Sequence, residues 1–295
     1  MKKGLIWILL TALLFTTMEP VSKLIAEQVN PFAITCIRFL IGGAILLPFS
    51  IAKLRKTGVK LSGKEWLCLA ALGVLCICVS MPLLQYAVMM ADSPAVIAII
   101  FSSNSVFTIG LSTLILKEKI TPPKAVAILL CGAGVLVSTD FATGNGFLSV
   151  GLTVVSALLF SLYTVLSKKF MKKISGIVQT GFSFFGGSFV LLAALMVGGV
   201  EVTGAVSGGN IWHLVYLGIA VTGLGYWCYF KALEEASAMA ASFVFFIKPI
   251  LTPFAAFAVN GIVPGGQVFI ALALVLAGSY LSTQSRLPFV KAKES

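Results

Sequence analysis

The chain has 295 residues, of which 59% are hydrophobic and 11% are charged, and its mean hydropathy is +1.05. A soluble globular domain is about half apolar and about a quarter charged, so this composition excludes an ordinary soluble fold. The net charge of +11 would suit nucleic acid, but the basic residues lie in short loops between apolar stretches and not along one polar face. We therefore expect no nucleic-acid partner.

Ten apolar stretches follow one another along the chain, each long enough to cross a bilayer as a helix of about twenty residues. They are too evenly apolar for the strands of a membrane β-barrel, which alternate between lipid and lumen. The first stretch follows Lys2 and Lys3 and lacks a cleavage pattern of small residues, so it is interpreted as an uncleaved span. The predicted spans are 4–25, 32–51, 66–88, 95–116, 122–139, 147–166, 177–197, 211–230, 238–259 and 263–283.

The loops between these spans alternate in charge. Eighteen of the 21 basic residues fall in the segments that share a side with the N-terminus, whereas the opposite loops hold none and carry Glu27, Asp92, Asp140 and Glu201 instead. Cytoplasmic loops of membrane proteins are enriched in lysine and arginine. The charge pattern predicts a multi-pass inner-membrane protein with both termini in the cytoplasm.

An internal repeat appears when the chain is shifted on itself by 145 residues. The shift aligns residues 12–15 with residues 157–160, both Ala-Leu-Leu-Phe, and Gly42 with Gly187; after a one-residue gap, Gly134 aligns with Gly278. Each half holds five spans, an odd number, so the second half must run through the membrane upside down. The prediction is an all-α protein of two inverted repeats, residues 1–140 and 147–285, with a cytoplasmic tail at 286–295. In such transporters the substrate site lies near the midplane between the halves.

Several degenerate motifs accompany this plan: Arg38-Phe39, Tyr86-Ala87, the segments 116–121 and 223–233, and Lys248-Pro249-Ile250. With them the whole chain resembles the EamA-like ten-span branch of the drug/metabolite transporter superfamily. The resemblance implies transport of amino acids, nucleobases, organic cations or drugs. The first half departs from the family pattern at Asn104, where the family often has a proline like Pro249.

Charged residues inside spans are costly in hydrocarbon and are candidates for function. At about 1.5 Å per residue, Glu19 and Arg38 lie at similar depths in consecutive antiparallel spans, which favours an ion pair. That pair is either structural, or it exchanges a proton or a substrate amine at Glu19. Lys248 lies near the midplane, where it either binds a carboxylate or phosphate of the substrate or pairs with Glu19.

Uncharged polar and aromatic residues supply further candidates. The repeat places Ser103 opposite Lys248, within the polar run Ser102, Ser103 and Asn104, which either lines a cavity or packs helices together. Tyr163, Tyr226 and Trp227 are candidates to line the substrate site or to lie in an interfacial belt.

These residues favour a secondary transporter that works by alternating access on a small metabolite, an amino acid or related carboxylate. The alternative is a broad exporter of drugs or organic cations. No GxxxxGK[ST] loop is present, so ATP does not drive transport directly, whereas proton coupling stays open. Glu19 and His213 do not form the clustered acids or acid–histidine pair of an intramembrane enzyme. The cysteines lie in apolar stretches, so we expect no metal site and no cofactor.

Overall fold

The computed structural model describes residues 2–117, 120–138, 144–204, 206–235 and 243–282. The predicted tail at 286–295 and the start of the ninth predicted span lie outside these residues. The described residues form helices and no strands. Within the described ranges, seven helices are long and apolar enough to cross a membrane, and three apolar helices are shorter. The chain is thus an all-helical, multi-pass membrane protein, whereas the span count of ten and the orientation stay predictions.

We number the helices in chain order and treat adjoining pieces of one rod as one helix. The helices are α1 (Lys2–Thr16 and Met18–Ile25), α2 (Pro31–Thr57), α3 (Gly63–Gly73, Val74–Ser80 and Met81–Met90), α4 (Pro94–Ser102 and Asn104–Leu116), α5 (Pro122–Ser138), α6 (Gly144–Phe170), α7 (Gly176–Val197), α8 (Ile211–Tyr216, Leu217–Leu224 and Gly225–Glu235), α9 (Val244–Asn260) and α10 (Gly266–Ser282). We call the end at which α1 begins the inner end and the opposite end the outer end.

Local chemistry accounts for several helix ends. Asn30 accepts a hydrogen bond from the backbone N–H of Phe32 at 2.9 Å and so caps α2. At the start of α3, Ser62 and Glu65 satisfy each other's backbone N–H groups in a capping box. Gly58 follows α2 at φ 66° and Gly261 follows α9 at φ 70°. Only glycine adopts this left-handed conformation at little cost, so both helices stop there.

Helix packing is reciprocal between the two halves. Helix α2 packs against its counterpart α7, and α5 packs against its counterpart α10. The contact of α1 with α8 has its equivalent in the contact of α6 with α3, and α2 with α8 has its equivalent in α7 with α3. Phe39 and Phe184, which the 145-residue shift aligns, meet edge to face at 4.7 Å. Two repeats related by a two-fold axis give this pattern of contacts.

The aligned glycines contact equivalent partners. A Cβ atom on Gly134 would lie 3.1 Å from the backbone oxygen of Ala271 in α10, and one on Gly278 would lie 2.9 Å from that of Ala127 in α5. Residues 127 and 271 are related by the same 144-residue shift as the two glycines. Small residues let membrane helices approach closely, so this glycine pair fixes the distance between α5 and α10.

Four helices depart from regular α geometry at related positions. The middle of α3 (Val74–Ser80) and of α8 (Leu217–Leu224) is π-helical, and these segments overlap under the repeat shift. Helix α4 is interrupted at Ser103, and its counterpart α9 contains Pro249 and Pro253. Single π turns frequently occur at functional sites. These irregular segments therefore mark a candidate region for the substrate site.

Candidate functional site

A central cavity lies between the middle parts of α1, α2, α3, α4, α6, α8 and α9. Its volume is only about 60 Å³. The cavity is therefore narrow in this conformation. Its walls are Phe15, Met18, Arg38, Phe39, Met81, Leu84, Phe101, Ser102, Asn104, Phe160, Val221, Thr222, Tyr226, Phe245 and Lys248.

An ion pair joins α1 to α9 beside this cavity. The Lys248 Nζ atom lies 2.6 Å from Glu19 Oε1, the Glu19 side chain is fully buried, and that of Lys248 is 10% exposed. The second carboxylate oxygen of Glu19, Oε2, has no hydrogen-bond partner among the described residues. Removing one partner of a buried ion pair leaves an uncompensated charge, which costs about 3–5 kcal/mol. Loss of either partner would therefore leave a buried charge between α1 and α9.

Arg38 is placed differently from the sequence-based expectation. The expected ion pair between Glu19 and Arg38 is wrong for this conformation, because Lys248 takes the carboxylate. Arg38 is 2% exposed, and its Nη2 lies 3.8 Å from the sulfur of Met81. Its guanidinium carbon lies 4.5 Å from the ring centre of Phe39, and its Nε has no hydrogen-bond partner among the described residues. A buried guanidinium thus faces the cavity without a carboxylate partner in the described part of the chain.

The net charge of the cavity follows from these three side chains. Glu19 is the only buried acid among the described residues, and it is already paired with Lys248. The positive charge of Arg38 therefore remains in excess. Fixed charge in a cavity with low-dielectric walls acts strongly on a ligand, because little water is present to screen it. The cavity is suited to a group that carries negative charge.

The irregular helix segments account for the position of Arg38 and its neighbours. Met81 follows the π-helical stretch of α3, and Thr222 lies within that of α8. The Thr222 hydroxyl donates to the backbone oxygen of Leu217, five residues earlier, at 2.8 Å. A Cβ atom on Gly42 would clash with the Thr222 methyl group. The glycine thus allows α2, which carries Arg38, to approach the π-helical wall of the cavity.

The break in α4 separates the three predicted polar residues. Ser102 and Asn104 line the cavity together with Lys248. Ser103 does not face Lys248 as the repeat suggested: it donates to the backbone oxygen of Ile100 and lines an apolar groove between α4, α5 and α6. Because the chain turns at Ser103, the serine and its two neighbours point to different sides. The expectation that Ser103 lies opposite Lys248 is therefore wrong.

The aromatic candidates fall in three places. Tyr226 lines the central cavity and also a wider vestibule, of about 360 Å³, that opens towards the inner end. Tyr163 lines the vestibule only, where Gln179 donates to its hydroxyl at 3.3 Å. Trp227 lines neither of them: it lies in a separate groove between α2, α7 and α8. Trp227 therefore does not line the central cavity in this conformation, and its place in a substrate site stays a prediction.

The outer side of the cavity is closed by contacts of the second half of α1. The Lys23 ammonium donates to the backbone oxygen of Met89 in α3 at 2.7 Å. The Asn260 amide in α9 donates to the backbone oxygen of Pro20 at 3.1 Å. Together with the Glu19–Lys248 pair, these bonds fasten α1 to α3 and α9 on the outer side, whereas the vestibule leads towards the inner end. Among the described residues, no comparable contacts close the vestibule on the inner side.

Most of the cavity wall was not predicted from the sequence. Six aromatic rings line it, those of Phe15, Phe39, Phe101, Phe160, Tyr226 and Phe245. The sequence contains 22 phenylalanines, and hydropathy treats a ring in a cavity and a ring in lipid alike. The repeat gave one usable signal, because Phe15 aligns with Phe160 and both line the cavity.

Comparison with known proteins gives one consistent result. The sequence profile described as the EamA-like transporter family matches residues 2–139 and 147–284. An uncharacterized transporter from Clostridium kluyveri is 36% identical over 97% of this chain and 94% of its own length. One from Archaeoglobus fulgidus is 24% identical over 88% of this chain and 90% of its own length. A protein crystal structure with 19% identity superposes with a TM-score of 0.67 over 96% of this chain and 97% of that chain, a likeness of fold alone.

Proposed function

This chain belongs to the EamA-like transporter family, and we propose that it is a secondary transporter for a small metabolite that carries a carboxylate or related anionic group. Amino acids are the favoured class. In the proposal the protein is embedded in the inner membrane with both termini in the cytoplasm, and it works by alternating access and not by ATP hydrolysis.

The proposed anionic substrate is inferred chiefly from Arg38. Its guanidinium is buried in the cavity wall, and no described carboxylate lies within ion-pair distance of it. A planar guanidinium forms two parallel hydrogen bonds with a carboxylate. A substrate carboxylate would supply both the missing charge and a partner for Nε. The cost of keeping Arg38 buried and unpaired would then be offset only in the loaded transporter.

Lys248 takes a second part in the proposal. Because Glu19 already neutralises it at 2.6 Å, a substrate carboxylate would reach Lys248 only by displacing Glu19. Protonation of Glu19 would free Lys248 in the same way. The Glu19–Lys248 pair is thus the proposed point at which substrate binding, and protons if they are coupled, acts on the outer closure.

Alternating access follows from the repeat in this proposal. The outer bonds of Lys23 and Asn260 close one side while the vestibule leaves the other side open. Exchanging the conformations of two inverted halves closes the inner side and opens the outer one. Both the Glu19–Lys248 pair and the two bonds would have to break in that exchange.

Purified protein in proteoliposomes tests the proposal. Radiolabelled amino acids and other carboxylates are screened by counterflow, and the best substrate is then measured with Arg38→Gln and Arg38→Lys. We expect Arg38→Gln to lower transport at least about tenfold, because a lost charge-assisted hydrogen bond is worth about 1.5–3 kcal/mol. Arg38→Lys should retain part of the activity, because it keeps the charge. Unchanged transport by Arg38→Gln would overturn the assignment.

The competing function, export of drugs or organic cations, is favoured by one observation. The six aromatic rings of the cavity offer faces that attract cations. That function needs Glu19 as the carboxylate and places no demand on Arg38. Drug efflux that is lost in Glu19→Gln but kept in Arg38→Gln would support the cation exporter and contradict the carboxylate transporter.

A further inference from the structure

A groove at the inner end of α2, α7 and α8 is separate from the central cavity and shares none of its lining residues. Its volume is about 300 Å³, five times that of the cavity. This is the groove in which Trp227 lies. Its lining is Phe49, Ala52, Lys53, Lys56, Ile177, Trp227, Phe230, Lys231 and Glu234.

The groove carries an excess of positive charge. Glu234 pairs with both Lys53, at 2.8 Å, and Lys231, at 3.3 Å. Lys56 has no carboxylate within 4.0 Å among the described residues. Three lysines thus face one glutamate, and the bridging carboxylate holds two of the ammonium groups on the same wall. Each ammonium still has N–H donors free of Glu234, because it carries three.

The sequence spacing along the two helices shows at what level the groove lies. On α2, Phe49, Lys53 and Lys56 are four and three residues apart and share one face. On α8, Trp227 and Lys231 are also four apart. Both faces change from an aromatic ring to a lysine at the same end, as helices do where they leave the hydrocarbon for the headgroups. This order is the one expected for lysines at headgroup level with rings just below them.

We propose that this groove binds the phosphate of an anionic phospholipid from the inner leaflet, with phosphatidylglycerol as the representative headgroup. The lysine ammonium groups supply the charge. Phe49, which is 45% exposed, and Trp227, whose ring centre is 5.9 Å from that of Phe49, supply an apolar wall for the lipid below its phosphate. Basic pockets between transmembrane helices on the cytoplasmic side recognise such headgroups. A zwitterionic lipid brings its own cation, which the excess lysine charge disfavours.

Native mass spectrometry of the purified protein in detergent tests the site, with phosphatidylglycerol, phosphatidylcholine and glycerol 3-phosphate as probes. We expect preferential binding of phosphatidylglycerol. The triple variant Lys53→Gln, Lys56→Gln, Lys231→Gln should lower that affinity by roughly tenfold or more, because each lysine near an anionic lipid contributes on the order of 1 kcal/mol. The matching arginine triple variant keeps the charge and should restore binding.

The control removes the same charge elsewhere at the inner end. Lys60, Lys64 and Lys172 are exposed and line neither the groove nor the cavity; their triple glutamine variant should bind phosphatidylglycerol as the wild type does. An equal loss of binding in this control would overturn the site. If phosphatidylcholine bound as tightly as phosphatidylglycerol, the proposed preference for an anionic headgroup would be wrong. If equimolar glycerol 3-phosphate displaced the lipid, the groove would be assigned to free phosphates. If the glutamine variant does not fold, the wild-type comparison of the two lipids decides.

Discussion

At the residue scale, the Glu19–Lys248 pair bears on both the stability of the protein and the proposed transport mechanism. It joins α1 to α9 in a buried setting, and Glu19 keeps one unpartnered oxygen. Counting residues along each span predicts that Glu19 lies beside Arg38. This count takes no account of how helices tilt and break. Helix α1 breaks at Thr17, and the segment after the break brings Glu19 to Lys248.

This pair should show strong energetic coupling. Glu19→Gln and Lys248→Met each leave one buried charge unpaired, so each should lower the free energy of unfolding by about 3–5 kcal/mol. The double variant should cost clearly less than the sum, because both charges are gone. Thermal unfolding in detergent measures the three variants.

The control for this cycle is the exposed pair of Lys53 and Glu234, whose side chains are 38% and 42% exposed. The same cycle there should give a coupling below about 1 kcal/mol. Additive losses at Glu19 and Lys248 would contradict the view that the two charges stabilise each other.

At the element scale, small residues and helix irregularities position the site. The close approach of α5 and α10 depends on Gly134 and Gly278, which contact equivalent backbone oxygens on the opposite helix. The π-helical stretch of α3 ends just before Met81, which contacts Arg38, and that of α8 contains Thr222, which packs against Gly42 in α2.

Alanine at either of these glycines should destabilise the protein. A Cβ on Gly134 would lie 2.7 Å from the Val275 side chain, and one on Gly278 would lie 2.6 Å from the Cys131 sulfur. Overpacking of this kind costs about 1–3 kcal/mol, so each variant should lower the melting temperature in detergent. Gly132→Ala, on α5 like Gly134, is the matched control, because a Cβ atom there would meet nothing within 4 Å. This variant should melt at or above the wild-type temperature. An unchanged melting temperature in Gly134→Ala would refute the close packing.

At the scale of the whole molecule, the two-fold relation of the contacts and the one-sided opening of the cavity together suit alternating access. The pairings of α2 with α7 and of α5 with α10 join each helix to its own counterpart. The vestibule and the basic groove both lie at the inner end, so the orientation in the membrane decides which compartment reaches the cavity.

Cysteine labelling tests that orientation. In a cysteine-free background, Glu27→Cys should react with an impermeant maleimide in intact cells, whereas Lys60→Cys should react only after permeabilisation, because the charge pattern places them on opposite sides. Thr164→Cys, in the vestibule wall, should behave as Lys60→Cys does. Reaction of Lys60→Cys in intact cells would reverse the proposed topology.

The sequence alone predicted the helical class, the inverted halves and the aligned glycines, because hydropathy, charge and repeat spacing are properties of a linear chain. It also selected Arg38, Lys248, Ser102, Asn104 and Tyr226, all of which line the cavity, since a polar group is costly in hydrocarbon wherever its helix lies. Only the tertiary structure decided which carboxylate pairs with which cation, where Ser103 and Trp227 point, and which side of the cavity is open. These depend on breaks and π turns that rotate side chains by part of a turn, and a periodic pattern does not record such rotations.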